Sequence, residues 1–349
     1  MSTFFLQRGI RLPVKKPRNL EIKDVDVPEH SSQQSVADED GAKQTSPFAD
    51  KYKEVATHQY VPRQSLAERI SDFVAEKGQQ VVIRLADEDP HSLTQRAITE
   101  SLKKGKDKVK AALDQLAEKT GVSKFVFACH KGQDLGELVS LAASIIRVHH
   151  SHYPMMTRPC LAKRVLGESP VIDIHVRVKG VLVVDIGELM LLTEPDISAV
   201  VTVISQSGAQ LVRVRRGATV YEILSAMSLL DGSKKVVMGS PLLGDAIYEL
   251  HVAMTADTLT LFAESQDDLY QNLPCCNCGK CVKVCPSRLL PGLLSKHIYV
   301  ENFEDAAHLN VHSCIECGCC AFMCPSRRSL VQFMRLGKQE SRKAVGSHE

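Results

Sequence analysis

The sequence predicts a multidomain protein of mixed α/β and α+β class that ends in a small helical unit built around cysteine. Three observations predict it. Between residues 65 and 168, short apolar runs alternate with amphipathic helical patterns, as in an α/β domain with a parallel sheet. From about residue 170, two neighbouring strand patterns precede one helix, as in a small α+β unit. Ten of the twelve cysteines fall between Cys275 and Cys324.

The composition is that of a globular chain. It has 349 residues, 44% of them hydrophobic and 24% charged, enough for two or three domains with a real core. The net charge of +2 supplies no field for nucleic acid, and 5% aromatics with no Trp give no stacking platform for bases. Nucleic acid is therefore not an expected partner. A disulfide framework would spread its cysteines over a small secreted domain, so clustering points to metal. The opening MSTFFLQRGIRLPVKK lacks the order of a signal peptide, and no apolar stretch approaches the ~18–20 residues of a membrane helix. The expectation is a cytosolic protein able to sit on a membrane partner.

Residues 1–64 form a polar segment, aperiodic over 23–60, expected to be reduced or disordered. SLAERISDFVAEKG predicts a helix, with Ser65 as N-cap and Glu68 completing a capping box. VVIRLA (81–86) and KFVFAC (124–129) predict strands. Residues 91–121 predict helix in two pieces broken at Gly105, and GELVSLAASIIRVHH (136–150) predicts another helix. These make up the α/β domain, 65–168. In 169–265, strands at 200–205 and 210–215 flank a turn, a helix starts near Thr219, and KKVVMGSPLLGDAI and LTLFA add strands. The cysteine domain spans 266–335, with helices expected in PGLLSKHI, FEDAAHL and SLVQFMRLGK, and 336–349 reads as a polar tail.

CCNCGKCVKVCP (275–286) and CIECGCCAFMCP (314–325) each hold five cysteines and close on proline. One frame in each run has the spacing C-x2-C-x2-C-x3-C-P, which binds [4Fe–4S] clusters. Three thiolates on a tight loop wrap three corners of a cube, and the fourth starts a helix leading to the other cube. Gly279 and Gly318 let the backbone turn close to the site, and proline is well tolerated in a first helical turn. With the ligand crossing of two-cluster proteins, one cube takes Cys275, Cys278, Cys281 and Cys324, and the other takes Cys285, Cys314, Cys317 and Cys320. Structural zinc is the alternative, but its knuckles usually stand farther apart. Cys276 and Cys319 are left over as small buried residues beside the ligands.

Two cubes move single electrons and select no substrate, so the electrons need a donor, and a flavin or nucleotide site would lie upstream. No glycine-rich phosphate loop is present. ADEDP (86–90) places Asp87, Glu88 and Asp89 where α/β sheets take ligands, or in a solvated acidic turn. His149, His150 and His152 read as favourable cations at a helix end in preference to metal ligands. Cys129 and Cys160 read as core thiols, and VRVRRG (212–217) as a solvated or docking face.

From about residue 65 to 335 the chain resembles the C subunit of the Rnf electron-transport complex and, similarly, the cobalamin reductases of bacterial microcompartments. The likeness is most specific in DLYQNLPCCNCGKCVKVCPSRLLP. VVTVISQSGAQLVRVRRGATVYEIL resembles the family's soluble-ligand-binding β-grasp domain, MGSPLLGDAI its glycine–proline turn, and RGIRLP its opening. The resemblance implies three folds in order: an α/β domain like the flavoprotein of respiratory complex I, a β-grasp domain, and a helical two-cluster ferredoxin-like domain. It also implies a peripheral subunit on the cytoplasmic face of the inner membrane. Such a protein exchanges electrons with NADH through FMN and passes them along Fe–S clusters to ion-pumping partners.

The chain departs from the family where flavin and NADH bind. LAERISDFVAEKGQQ stands in place of the glycine-rich loop, and ADEDP in place of Ala-Glu-Cys-Glu-Pro. Met156, Thr157, Arg158 and Pro159 replace Gly-Gly-Glu-Lys, and Asp185-Ile186-Gly187 replaces Asn-Val-Gly. Bulkier residues obstruct a backbone approach to phosphate, and an added carboxylate repels it. The expectation is an electron-transfer subunit with two [4Fe–4S] clusters, with FMN a doubtful cofactor and NADH oxidation by this chain alone disfavoured. Its expected partners are other members of a membrane complex and a ferredoxin or flavoprotein. The alternative is a complete FMN-dependent NADH:acceptor or cobalamin reductase.

Overall fold

The computed structural model describes residues 10–11, 22–24, 65–88, 92–149, 152–167, 179–194, 198–215, 217–230, 235–239, 242, 244–247, 249–254, 260–264 and 273–346. Two short strands, β1 (Ile10–Arg11) and β2 (Ile22–Asp24), come first; the rest of the expected 1–64 segment lies outside the described residues. Helix α1 (Leu66–Ala75) starts where its sequence signature places it. The Glu68 amide donates to Ser65 Oγ at 3.3 Å and the Ser65 amide to Glu68 Oε2 at 2.8 Å, a reciprocal cap of two otherwise orphaned donors.

Strand β3 (Gln80–Arg84) is followed by α2 (Thr94–Leu102) and α3 (Lys106–Thr120), broken at Gly105 as expected. After β4 (Phe125–His130), the predicted helix over 136–150 is not formed. A 3-10 turn (Gly136–Leu141) leads instead to β5 (Ser144–Val148), because Ile145, Ile146 and Val148 are β-branched and β4 offers a parallel partner. The histidines that follow therefore cap no helix. His149 lies just past β5 and His152 begins β6 (His152–Tyr153), while His150 lies outside the described residues. Next come α4 (Arg158–Leu166), β7 (Val181–Asp185) and α5 (Ile186–Met190).

The sheet order is β5-β4-β3-β7, all parallel. β7 thus belongs to the α/β sheet, although the sequence places the boundary near residue 168. Its run VLVVD is buried throughout, as a strand covered on both faces requires. Alternate side chains serve two cores. Val81 and Ile83 face α1 and α3, while Val82 faces Met155, Met156 and α4. β1 pairs antiparallel with β6.

A second sheet follows. The hairpin β8 (Ala199–Ser205) and β9 (Gly208–Val214) leads to α6 (Val220–Ala226), capped by Thr219 and Glu222. Strands β10 (Lys235–Met238), β11 (Asp245–Ile247) and β12 (Thr260–Glu264) complete it in the order β11-β10-β12-β8-β9-β2. β12 and β8 are parallel at its centre, and α6 packs Ile223 and Leu224 into the core of that sheet. Two arginines of VRVRRG are paired within the chain, Arg213 with Asp24 at 3.1 Å and Arg215 with Glu222 at 2.8 Å, and Arg216 lies outside the described residues.

The cysteine region holds α7 (Lys280–Val284), α8 (Pro291–Tyr299), α9 (Phe303–His308), α10 (Cys319–Phe322) and α11 (Leu330–Gly346). The expected polar tail from 336 is helical as far as residue 346, with Lys338 and Ser341 buried. Gly337 permits this packing, since a Cβ there would stand 2.5 Å from Ile298 Cδ1. Among the described residues no helix is long and apolar enough to cross a membrane.

Candidate iron–sulfur centre

The two cysteine runs fold alike. Asn277 and Gly279 in the first, and Glu316 and Gly318 in the second, all take positive φ, curling the chain on both sides of the second predicted ligand of each run. Gly318 is required twice over. Its φ is +77°, and a Cβ would lie 2.5 Å from the Leu242 carbonyl oxygen. Each run ends in a Cys-Pro-Ser-Arg turn in which Arg288 or Arg327 is left-handed and donates its amide to the Cys285 or Cys324 carbonyl, at 3.2 and 3.1 Å. Backbone amides also reach sulfur: Leu289 N to Cys285 Sγ at 3.3 Å and Glu316 N to Cys314 Sγ at 3.4 Å. Such bonds orient ligand sulfurs and tune the group they hold.

The sulfurs gather across the runs. A Cβ on Gly292, in the first turn of α8, would sit 3.4 Å from Cys281 Sγ and 3.9 Å from Cys275 Sγ. Burial raises the Cys281 thiol pKa, and Cys275 and Cys324 add to the rise. In the other group, burial pushes the Cys320 thiol up, followed by Cys317, Cys314 and Cys285. These four line one cleft together with Ile315 and Met334. Cys278 is exposed and touches Cys276; it is the predicted ligand that these contacts place in neither group.

The donor set fits iron–sulfur cubes. The groups are made of thiols, Gly292 leaves room beside one, and the other lines a cavity with apolar walls. Among the described residues no three His, Cys, Asp or Glu side chains converge on one point as ligands of a single metal ion would. Without iron the buried thiols hold their protons. Cys314 is pushed up to about 12 by burial, and Cys317 is raised by its hydrogen bond with Cys319 and by burial. Loading therefore releases protons. The two spare cysteines differ. Cys319 is fully buried, as expected, whereas Cys276 is exposed, because it points away from the group its neighbour Cys275 joins. Hydrogen bonds with Ser326 and Cys278 lower its pKa.

Residues that the sequence did not single out hold the second loop. Tyr153 Oη donates to the Cys317 carbonyl from the α/β layer. Glu316 accepts from Lys338 Nζ at 2.7 Å and from Arg335 Nε at 2.8 Å, and Arg335 also pairs with Asp245 on β11. Cys160, one of the two expected core thiols, is buried beside Cys317; Cys129 is buried in the other α/β core. A Tyr and a few charges far apart in sequence carry no spacing signal.

The carboxyl ends of the α/β strands, where such sheets bind ligands, are occupied by ion pairs within the chain. The buried Arg84 guanidinium donates to Asp185 through Nε (2.5 Å) and Nη2 (2.8 Å), and through Nη1 to Glu88 (2.8 Å) and the Met156 carbonyl (3.0 Å). Glu188 pairs with Arg69 and Arg158. Asp87 is a buried cap at the start of α2, neither ligand nor solvated turn. It accepts from the Gln95 amide at 2.9 Å, the Arg96 amide at 3.2 Å and Ser92 Oγ at 2.7 Å. Burial raises its pKa, opposed by those bonds. A helix N-terminus free to take phosphate is thus already held by a carboxylate, and three arginines are matched by three acids. These residues do not fit a flavin phosphate. Asp89 lies outside the described residues.

Residues 268–325 match the family described as 4Fe-4S dicluster domain, so this part of the chain is similar to an iron–sulfur electron-transfer domain. The chain is related to the C subunits of ion-translocating oxidoreductase complexes, as its motifs suggested. It is 38% identical over 130 residues to the Pseudomonas aeruginosa protein of that name, covering 36% of this chain and 17% of the relative. For the Serratia proteamaculans protein the values are 33% over 209 residues, 56% and 29%. The C subunit of the proton-translocating ferredoxin:NAD(+) oxidoreductase complex of Clostridium ljungdahlii is 36% identical over 121 residues, 33% of this chain and 26% of the relative. The chain thus spans less than a third of the length of these relatives. A chain of an NAD+-reducing [NiFe]-hydrogenase superposes with a TM-score of 0.41 at 13% identity, over 70% of this chain and 54% of its own.

Two outcomes are expected. Arg84→Met leaves Asp185 and Glu88 without their buried partner and destabilises the chain by about 3–5 kcal/mol, read from urea unfolding; the Arg84→Met/Asp185→Leu pair recovers part of that loss. In the iron-loaded protein, a thiolate-selective alkylating agent labels Cys276 and spares Cys314, Cys317 and Cys320, as peptide mass mapping would show. Early labelling of those three would contradict the arrangement.

Proposed function

We propose that this chain is an electron-transfer protein with two [4Fe–4S] clusters, working within or docked to a membrane-bound ion-translocating oxidoreductase. One cluster is held by Cys275, Cys278, Cys281 and Cys324, the other by Cys285, Cys314, Cys317 and Cys320. The observation that carries the reading is the gathering of the sulfurs, with Cys275 and Cys281 both against Gly292, and Cys285 from the first run in one cleft with Cys314, Cys317 and Cys320 from the second. Bound clusters supply one-electron carriage. The chain's own work is to hold the thiolates, to line the second site with Ile315 and Met334 so that water is kept back, and to leave the first nearer the surface, where Cys278 is exposed.

The hairpin, α6 and the parallel β8–β12 pair are read as a β-grasp fold, which with the α/β layer forms the frame on which the clusters ride. The α/β unit includes β7 and α5, and the two-cluster unit includes α11. The closed strand ends support a chain without its own flavin, so donor and acceptor lie on partners: other members of the complex, and a ferredoxin or flavoprotein. The similarity to the C subunits of such complexes supports a place on the cytoplasmic face of the inner membrane.

Anaerobically purified protein is expected to carry about eight iron and about eight sulfide per chain, as two cubes require. Cys324→Ser, although in the second run, is expected to remove the centre built on Cys275, leaving about four iron and one electron paramagnetic resonance signal. Iron well below eight in the wild type would sink the reading. Stoichiometric flavin bleached by NADH would replace it with a complete reductase.

A further inference from the structure

The two runs have the same loop but different surroundings. Between the first and second ligands of the first run stands Asn277, whose Oδ1 accepts from Lys296 Nζ at 2.9 Å, both residues being exposed. The same place in the second run holds Glu316. Arg335 reaches it from α11 as Lys296 reaches Asn277 from α8. Among the described residues, the second run adds one group with no counterpart in the first. Lys338, 1% exposed, donates to Glu316 Oε1 at 2.7 Å. It lies on α11 one turn beyond Met334, which lines the cavity of Cys285, Cys314, Cys317 and Cys320. A cation out of water interacts with a neighbouring charge far more strongly than an exposed one.

We propose that Lys338, held against Glu316, is a positioning residue that raises the reduction potential of the centre on Cys285, Cys314, Cys317 and Cys320, and so makes the two centres unequal. The inference rests on the two-cluster reading. Reduction adds one negative charge to that centre, and a buried cation stabilises the added charge. Asp245 offsets Arg335 and Glu316 offsets Lys338, so the contributions differ by position. Lys338 is the buried member, while Arg335 and Asp245 are partly exposed.

The test is a redox titration of the anaerobic protein followed by electron paramagnetic resonance, with iron counted in each variant. In Lys338→Met, one of two waves is expected to fall by about 59 mV, a tenfold loss in the one-electron reduction equilibrium, while the other stays. Lys338→Arg keeps the charge and is expected to restore the wave. Glu316→Gln removes the opposing charge and is expected to move the same wave upward, a sign that loosened packing would not produce. Should Lys338→Met lose iron, the Glu316→Gln shift decides alone. Full iron with an unmoved wave, or equal shifts of both waves, overturns the inference. Wild-type iron well below eight removes the proposed function and this inference with it.

Discussion

The loop carrying Cys314, Cys317 and Cys320 is pinned from three sides, and the rest of the molecule is arranged around that constraint. Tyr153 from the α/β layer holds the Cys317 carbonyl, and Leu242, near the second sheet, presses its carbonyl on Gly318. Lys338 and Arg335 from α11 grip Glu316, and Arg335 ties that grip to Asp245 on β11. A loop of this kind cannot hold its shape alone. It is short, it contains two left-handed residues, and its thiols repel one another once ionised. Contacts from elements distant in sequence supply the rigidity that redox ligands need to stay in place between oxidation states.

The α/β layer shows how a ligand-binding edge becomes a structural joint. Ligands of such sheets bind outside the carboxyl ends of the strands, but here Arg84, Asp185 and Glu88 at those ends meet partners from the same chain. Arg84 is bidentate on Asp185 and shared with Glu88, while Asp87 satisfies the start of α2. Buried ion pairs of this geometry contribute little net stability, yet leaving one member unpaired is costly. The edge therefore resists opening to admit an anion. The opposite charges also orient the Tyr153–Met156 segment, since the Met156 carbonyl is one of Arg84's acceptors, and that segment supports the second cysteine loop.

Much of the fold was legible because its signals are local. The Ser65–Glu68 cap, the Gly105 break and the hairpin before α6 all stand where their sequence signatures place them. The misreadings have a common cause. Residues 136–150 were helical by pattern, but pairing with β4 decided for a strand. β7 fell past an apparent boundary, but pairing with β3 drew it back. The polar residues from 336 looked like a tail until burial of Lys338 against Glu316 and close packing at Gly337 continued the helix. In each case a tertiary partner outweighed local propensity.

By itself the sequence determined the chemistry: the repeated spacing of thiols and prolines names the group they suit, because those spacings are set by a few bonds of backbone. It also showed that glycines are missing where a phosphate would need them. The tertiary structure brings Cys285 into one cleft with Cys314, Cys317 and Cys320, a grouping that the motif spacing already suggested. It alone turned Asp87 from candidate ligand into helix cap, and left Cys276 outside while burying Cys319. Burial and charge pairing are properties of the assembled chain, since the groups that impose them, Tyr153, Asp245, Arg335 and Lys338, are brought to the second loop only by folding.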